Sequence, residues 1–356
     1  MLASTSSVRA TELLNDPSFF LRRQLVWLTC AMVAAYFAAR IDYRQWRRFA
    51  VPIAVAALVL LVLVFVPGIG VKVGGSHRWI GFGPIRLQPS EVAKIALLIG
   101  MSAWMARIER RAADLKLGLI YPICGLGVTL VLIIAEPDFG TTLLCAAVGM
   151  IILHAGGTRL HYLAIVGVAG LCLFSLMVMH DPVRLGRMMA FLYPENHPEV
   201  AYHLAQSKVA FIKGGLFGVG LGNSIQKQHY LPEAHTDFIL AIVGEELGFM
   251  ATGLVVLAFL AILVSGLMIS YRAPDTFGRL LGYGITVMIF MQAAINIGVV
   301  TGCLPTKGLP LPFISYGGSS LIGALTCFGL LLSIARLGSE QPDEVSRSVK
   351  DRARSF

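Results

Sequence analysis

Residues 247–270 read LGFMATGLVVLAFLAILVSGLMIS, twenty-four positions without a charge. As an α-helix this run is about 36 Å long at 1.5 Å per residue. That is enough to cross the ~30 Å hydrocarbon core of a bilayer. Comparable apolar runs recur at roughly 24–39, 49–66, 92–106, 117–135, 140–155, 160–179, 280–302 and 313–336. The shorter ones need tilt, local thinning or polar flanks to span. The composition agrees. Hydrophobic residues make up 56% of 356 and charged residues 14%, against about 25% charged in soluble domains. The sequence therefore predicts an all-α polytopic integral membrane protein with about nine transmembrane helices. A single transmembrane domain is expected over residues 1–338. The polar tail 339–356 is expected to be disordered.

The net charge of +9 reads as topology. Arg40, Arg44, Arg47 and Arg48 follow the first span, and Arg107, Arg110, Arg111 and Lys116 follow the third. Arg159, Arg272, Arg279 and the basic tail fall on the same face when the spans alternate, so this face is expected inside. The loops 67–90, 180–246 and 301–320 are then extracytoplasmic, the long one running up to a helix expected to start near 246. An odd number of spans places the N-terminus outside. Met1–Asn15 has neither an apolar stretch nor a cleavage site and is no signal peptide. There is no soluble basic domain, so nucleic acid is not an expected partner. Five of the six cysteines lie inside apolar runs, and no C-x-x-C or metal spacing occurs.

Immediately before the opening run stand residues 229–246, HYLPEAHTDFILAIVGEE. Asp237 is the last charge before Phe238–Val243 enter the apolar layer, with His235 and Glu233 beside it. A carboxylate at a membrane boundary is costly unless something uses it. One reading makes Thr236 or Asp237 a helix N-cap. The other makes Asp237 a base facing the outer water. At 88–94, QPSEVAK, Pro89 and Ser90 mark a helix start, and Glu91 and Lys94 share a face at i, i+3. They read either as a self-neutralising pair or as the lining of a cavity. Lys72, Arg78, Arg86, Arg184, Arg187, Lys208, Lys213, Lys227 and Lys307 lie in the outside loops, against the positive-inside trend. As a group they suggest an anionic ligand, phosphate above all. Residues 215–222 and their neighbours are rich in glycine, which speaks for close backbone approach or re-entry. Three prolines at 305–312 forbid a regular helix there. No phosphate-binding loop, hydrolase elbow, zinc-protease or dinucleotide fingerprint is present. No cofactor is expected, and the energy of any reaction must come with the substrate.

Five stretches resemble the SEDS family (shape, elongation, division and sporulation). They are RRQLVWL at 22–28, GSHRWIGFGPIRLQPSEVAK at 75–94, AEPDFGTT at 135–142, YLPEAHTDFILAIVGEELG at 230–248 and LPTKGLPLPFISYGGSS at 304–320. They cover essentially the whole chain, in order, and sit nearer the division branch than the elongation branch. The resemblance implies a peptidoglycan glycosyltransferase in the bacterial cytoplasmic membrane, at the division septum. It would polymerise lipid II, a disaccharide-pentapeptide on undecaprenyl pyrophosphate. It carries the catalytic base onto Asp237 and implies substrate-binding roles for Lys307, Arg78, Glu91 and Lys94; His235 and Ser315 complete the expected set. The implied partners are lipid II, a class B penicillin-binding transpeptidase, other divisome proteins and membrane lipids. A divalent cation, magnesium or manganese, is a second source of positive charge at the leaving pyrophosphate. The family pattern has ten spans with both ends inside, so the first is expected to be missing here. The rival readings are a lipid II flippase or other transporter, and a non-catalytic division scaffold. A transporter should place its key charges near the midplane and at both gates, whereas these charges cluster on one face.

Overall fold

The computed structural model describes residues 19–73, 76–82, 85–227, 231 and 235–354. Glu233 and the N-terminal stretch Met1–Asn15 lie outside the described residues. Twelve α-helices are present among them. These are α1 (Phe19–Arg40), α2 (Tyr43–Arg48), α3 (Ala50–Leu63), α4 (Pro89–Ile108), α5 (Lys116–Ala135, opening on a π-helical turn) and α6 (Phe139–Ala155). They continue with α7 (Leu160–His180), α8 (Pro182–Leu192), α9 (Pro198–Gly214), α10 (Ile239–Tyr271), α11 (Thr276–Val300) and α12 (Gly318–Arg354). Nine of them, all but α2, α8 and α9, fall on the nine apolar runs. α5, α7, α10, α11 and α12 are each long and apolar enough to cross a bilayer. On α7, Ile165, Val168, Leu171, Leu173 and Met179 are all more than half exposed. So many bare aliphatic side chains suit lipid and not water. This is a multi-pass membrane protein.

The chain folds into two compact units. The first comprises residues up to Thr29, Ala164–Ala261 and Ile289–Leu321. The second comprises Cys30–Leu163, Ile262–Met288 and the chain from Ile322 onward. In the second unit α3 packs along α4, and α4, α5 and α6 pack on one another around Leu98, Ile99, Leu144 and Ile152. Gly149 admits α5, since a Cβ there would stand 2.9 Å from Leu126 Cδ2. The Tyr43 hydroxyl donates to Asp275 Oδ1 at 2.9 Å, and Ser333 Oγ donates to the Ile41 carbonyl at 2.7 Å.

The structure adds to the sequence reading in three places. The loop 67–90 carries a three-stranded antiparallel sheet, β1 (Gly70–Val73), β2 (Ser76–Phe82) and β3 (Ile85–Leu87), which the sequence reading did not include. The helix expected near residue 246 begins at Ile239 and breaks at Gly248 (φ 77°, ψ −173°). Helix α12 runs on to Arg354, through the tail read as disordered.

The break in α10 has a cause in the first unit. An intact helix would pair the N–H groups of Phe249 and Met250 with the carbonyls of Glu245 and Glu246. Here the chain at 215–220 inserts between them. Val219 N and Gly220 N donate to the Glu245 and Glu246 carbonyls at 3.0 Å each. Phe249 N and Met250 N donate to the Gly215 and Leu216 carbonyls at 2.9 and 3.3 Å. All four backbone groups orphaned by the break are thus satisfied, which membrane depth demands. A Cβ at Gly218 or Gly248 would overlap the facing backbone, which accounts for glycine at these two positions. The Glu245 carboxylate accepts from Ser224 Oγ and from the N–H groups of Ile225 (3.1 Å) and Gln226 (3.2 Å). Lys227 Nζ lies 3.0 Å from Glu246 Oε1, both buried. These two glutamates, at the expected helix start, are therefore internal.

Candidate active site

In the first unit, the turn 235–238 ahead of α10 is laced to the proline-rich segment between α11 and α12. Asn296 of α11 donates from Nδ2 to two carbonyls, Asp237 at 2.8 Å and Leu309 at 2.7 Å. Ser315 Oγ donates to the Thr236 carbonyl at 2.6 Å and accepts from Leu311 N at 2.8 Å. Tyr316 N donates to the His235 carbonyl at 3.0 Å. Gln292 Nε2 donates to the Pro310 carbonyl at 2.9 Å. A segment with three prolines cannot satisfy its own carbonyls as a helix, so the polar side chains of α11 do so from outside. The Asp237 carboxylate lies against Gly308, where a Cβ would stand 2.9 Å from Oδ2. That glycine directly follows Lys307.

Lys307 Nζ stands 5.1 Å from the centre of the Phe174 ring of α7, within cation–π range. Burial lowers its pKa. The Phe20 ring meets Tyr316 edge-on at 5.4 Å and His235 at 6.0 Å. His203 of α9 stacks on Phe238 at 6.1 Å. Asp237, His235, Ser315 and Lys307 are thus gathered in one unit by two short segments.

Arg78, Glu91 and Lys94 belong to the second unit. Arg78 of β2 donates from Nε to the Glu136 carbonyl at 3.0 Å and from Nη2 to the Pro137 carbonyl at 2.7 Å. It clamps the sheet onto the α5–α6 turn. Lys94 Nζ lies 2.8 Å from Glu91 Oε2, both buried in the first turns of α4. Asp138 caps α6, accepting from Thr141 N at 3.1 Å and Thr141 Oγ1 at 2.8 Å. Glu136 is wholly buried, and neither carboxylate oxygen has a hydrogen-bond partner among the described residues. Burial, with Asp138 adding to it and Arg78 opposing, pushes its pKa up to about 8. No group of three or more His, Cys, Asp or Glu side chains able to hold a metal gathers among the described residues.

Residues 1–340 match the FtsW/RodA/SpoVE family of cell cycle proteins. The chain belongs to this family. It is 45% identical over 336 residues to the probable peptidoglycan glycosyltransferase FtsW of Trichlorobacter lovleyi, covering 94% of this chain and 88% of that protein. It is 38% identical to stage V sporulation protein E of Bacillus subtilis, covering 94% and 92%. Among solved structures it resembles a chain described under "Structural coordination of polymerization and crosslinking by a peptidoglycan synthase complex", with a TM-score of 0.75, 26% identity and 95% of each chain covered. It also resembles the rod shape determining protein RodA of Thermus thermophilus, with a TM-score of 0.68, 26% identity, and 94% and 93% covered. Within this FtsW/RodA/SpoVE chain, sequence reasoning passed over Asn296, Gln292 and Gly308. The signal for the first two was available, since amide side chains inside an apolar span ask for partners.

Proposed function

We propose that this protein is a peptidoglycan glycosyltransferase that polymerises lipid II at the outer face of the bacterial cytoplasmic membrane during septal wall synthesis, with Asp237 as general base. The observation that carries the site is the Asp237 carboxylate lying against Gly308, the residue that follows Lys307 in the chain. The activity named for the FtsW relatives and the alternating Lys/Arg clusters support the rest. In the reaction, the 4-hydroxyl of one sugar attacks the anomeric carbon of another. A carbon–oxygen bond forms there as the bond to the pyrophosphate breaks. The hydroxyl proton passes to Asp237. The electron pair leaves with the undecaprenyl pyrophosphate, whose charge the Lys307 ammonium meets. Any divalent magnesium or manganese would add positive charge at that same group. A penicillin-binding transpeptidase is the fitting partner, because glycan strands need cross-linking.

Purified protein, with and without its transpeptidase, is assayed for glycan strands from lipid II. Asp237→Asn keeps the size and the carbonyl acceptor but cannot take a proton at neutral pH. It should insert and fold yet lose on the order of 10²-fold in rate or more. Wild-type polymerisation by a well-folded Asp237→Asn refutes the assignment. Lipid II movement without polymerisation by the native protein would establish a transporter instead.

A further inference from the structure

Two residues border Asp237: Asn296 holds its backbone carbonyl, and Gly308 faces its carboxylate. Asn296 uses both hydrogens of one amide to hold the Asp237 and Leu309 carbonyls, at 2.8 and 2.7 Å. Asn296 is almost wholly buried, so these bonds are shielded from competing water. At Asp237 and Leu309 the two backbones are therefore held by a single planar group, alongside the Ser315 and Tyr316 bonds to the preceding carbonyls. Gly308 lies on one of them, one residue before Leu309. Its missing side chain is the space beside Asp237 Oδ2, at 2.9 Å from where a Cβ would be. Real Cβ–oxygen contacts are longer, so any other residue at 308 must displace something. What gives way is either the far end of the Asp237 side chain or the two backbone segments tied by Asn296, Ser315 and Gln292, and each changes where the carboxylate stands relative to the 307–310 segment.

We propose that Asn296 and Gly308 are positioning residues for the transfer reaction: Asn296 helps set the separation of the two segments, and Gly308 leaves the room in which the Asp237 carboxylate stands. This rests on the reading of Asp237 as the base. The pair acts on the geometry of proton removal and not on lipid affinity, and a misplacement of about 1 Å is worth on the order of 10²-fold in rate.

The test uses the full chain with its transpeptidase, lipid II as substrate, and thermal unfolding in the same detergent. Gly308→Ala should lower kcat by on the order of 10²-fold while the KM for lipid II and the melting temperature stay at wild-type values. The acidic limb of its kcat–pH profile should move, because the carboxylate has changed surroundings. Asn296→Gln keeps both N–H donors one methylene further out, and should lower kcat with the same unchanged KM. It decides the matter should Gly308→Ala fail to fold. Wild-type kcat in both variants, with Asp237→Asn inactive, overturns the proposal and leaves the base intact. A kcat that falls only in step with the melting temperature assigns both residues to packing and also overturns it. An active Asp237→Asn removes the base reading first and this proposal with it.

Discussion

Ser315 Oγ donates 2.6 Å to the carbonyl of Thr236, the residue directly before Asp237. The same oxygen accepts from Leu311 N, so one hydroxyl joins the two segments of the site. Ser315→Ala leaves a buried acceptor and a buried donor unpaired, each costing about 1–3 kcal/mol. The expected result is a lower melting temperature together with a loss of polymerisation larger than the loss of folded protein. Ser315→Cys, of similar shape but a weaker donor, should fall between the two. Equal activity per folded molecule in all three would make this hydroxyl purely structural.

Lys307→Ala should abolish most lipid II use, while Lys307→Arg keeps the charge and retains part of it. Phe174→Leu removes the ring beneath the ammonium and should cost about 0.5–2 kcal/mol of whatever the lysine contributes. Turnover of the alanine variant at the wild-type rate would return Lys307 to the solvated surface.

Lys227 and Glu246 form a buried ion pair. Removing one partner strands the other, so Lys227→Met should destabilise the protein by about 3–5 kcal/mol. Lys227→Met with Glu246→Leu removes both charges and should recover much of that loss. A single variant as stable as wild type in chemical unfolding would contradict the burial seen here.

Glu136 gives stability a pH dependence with a definite sign. Its folded pKa, about 8, is raised from an ordinary 4.5. Between these values the folded chain holds a proton that the unfolded chain has released. Its contribution is therefore undiminished below about pH 4.5 and is lost as the pH rises through 8. Glu136→Gln should raise the melting temperature at pH 8 and flatten its slope from pH 5 to 8. Burial is the main cause of the shift, and the neighbouring charges Asp138 and Arg78 stay in place in this variant. An unaltered slope would mean that another group carries the pH response.

The nine long helices were legible because each is an apolar run, and hydropathy is a local property. The sheet was not, since its strands are three to seven residues long and interrupted by glycine. Only the register, with Val71 facing Trp79 and Ile80 facing Leu87, makes it visible. The start of α10 was misplaced for a related reason. The apolar run that carries no charge starts only after Glu245 and Glu246, whose partners Ser224 and Lys227 come from about twenty residues upstream. Asp237 and Lys307 announced themselves as charges in apolar surroundings. Asn296 and Gly308 act through spacing, and spacing is a property of two segments that no single stretch of sequence reveals.

The broken helix α10 also bears on how the chain is made. An isolated 239–271 segment entering the bilayer would either close as an unbroken helix or expose four unpaired backbone groups to hydrocarbon. Its native shape exists only once residues 215–220 are lodged in the gap. Those residues leave the ribosome first, and the N–H groups of Val219 and Gly220 meet their carbonyl partners only when α10 follows. The final kinked form of this span thus depends on a loop synthesised before it.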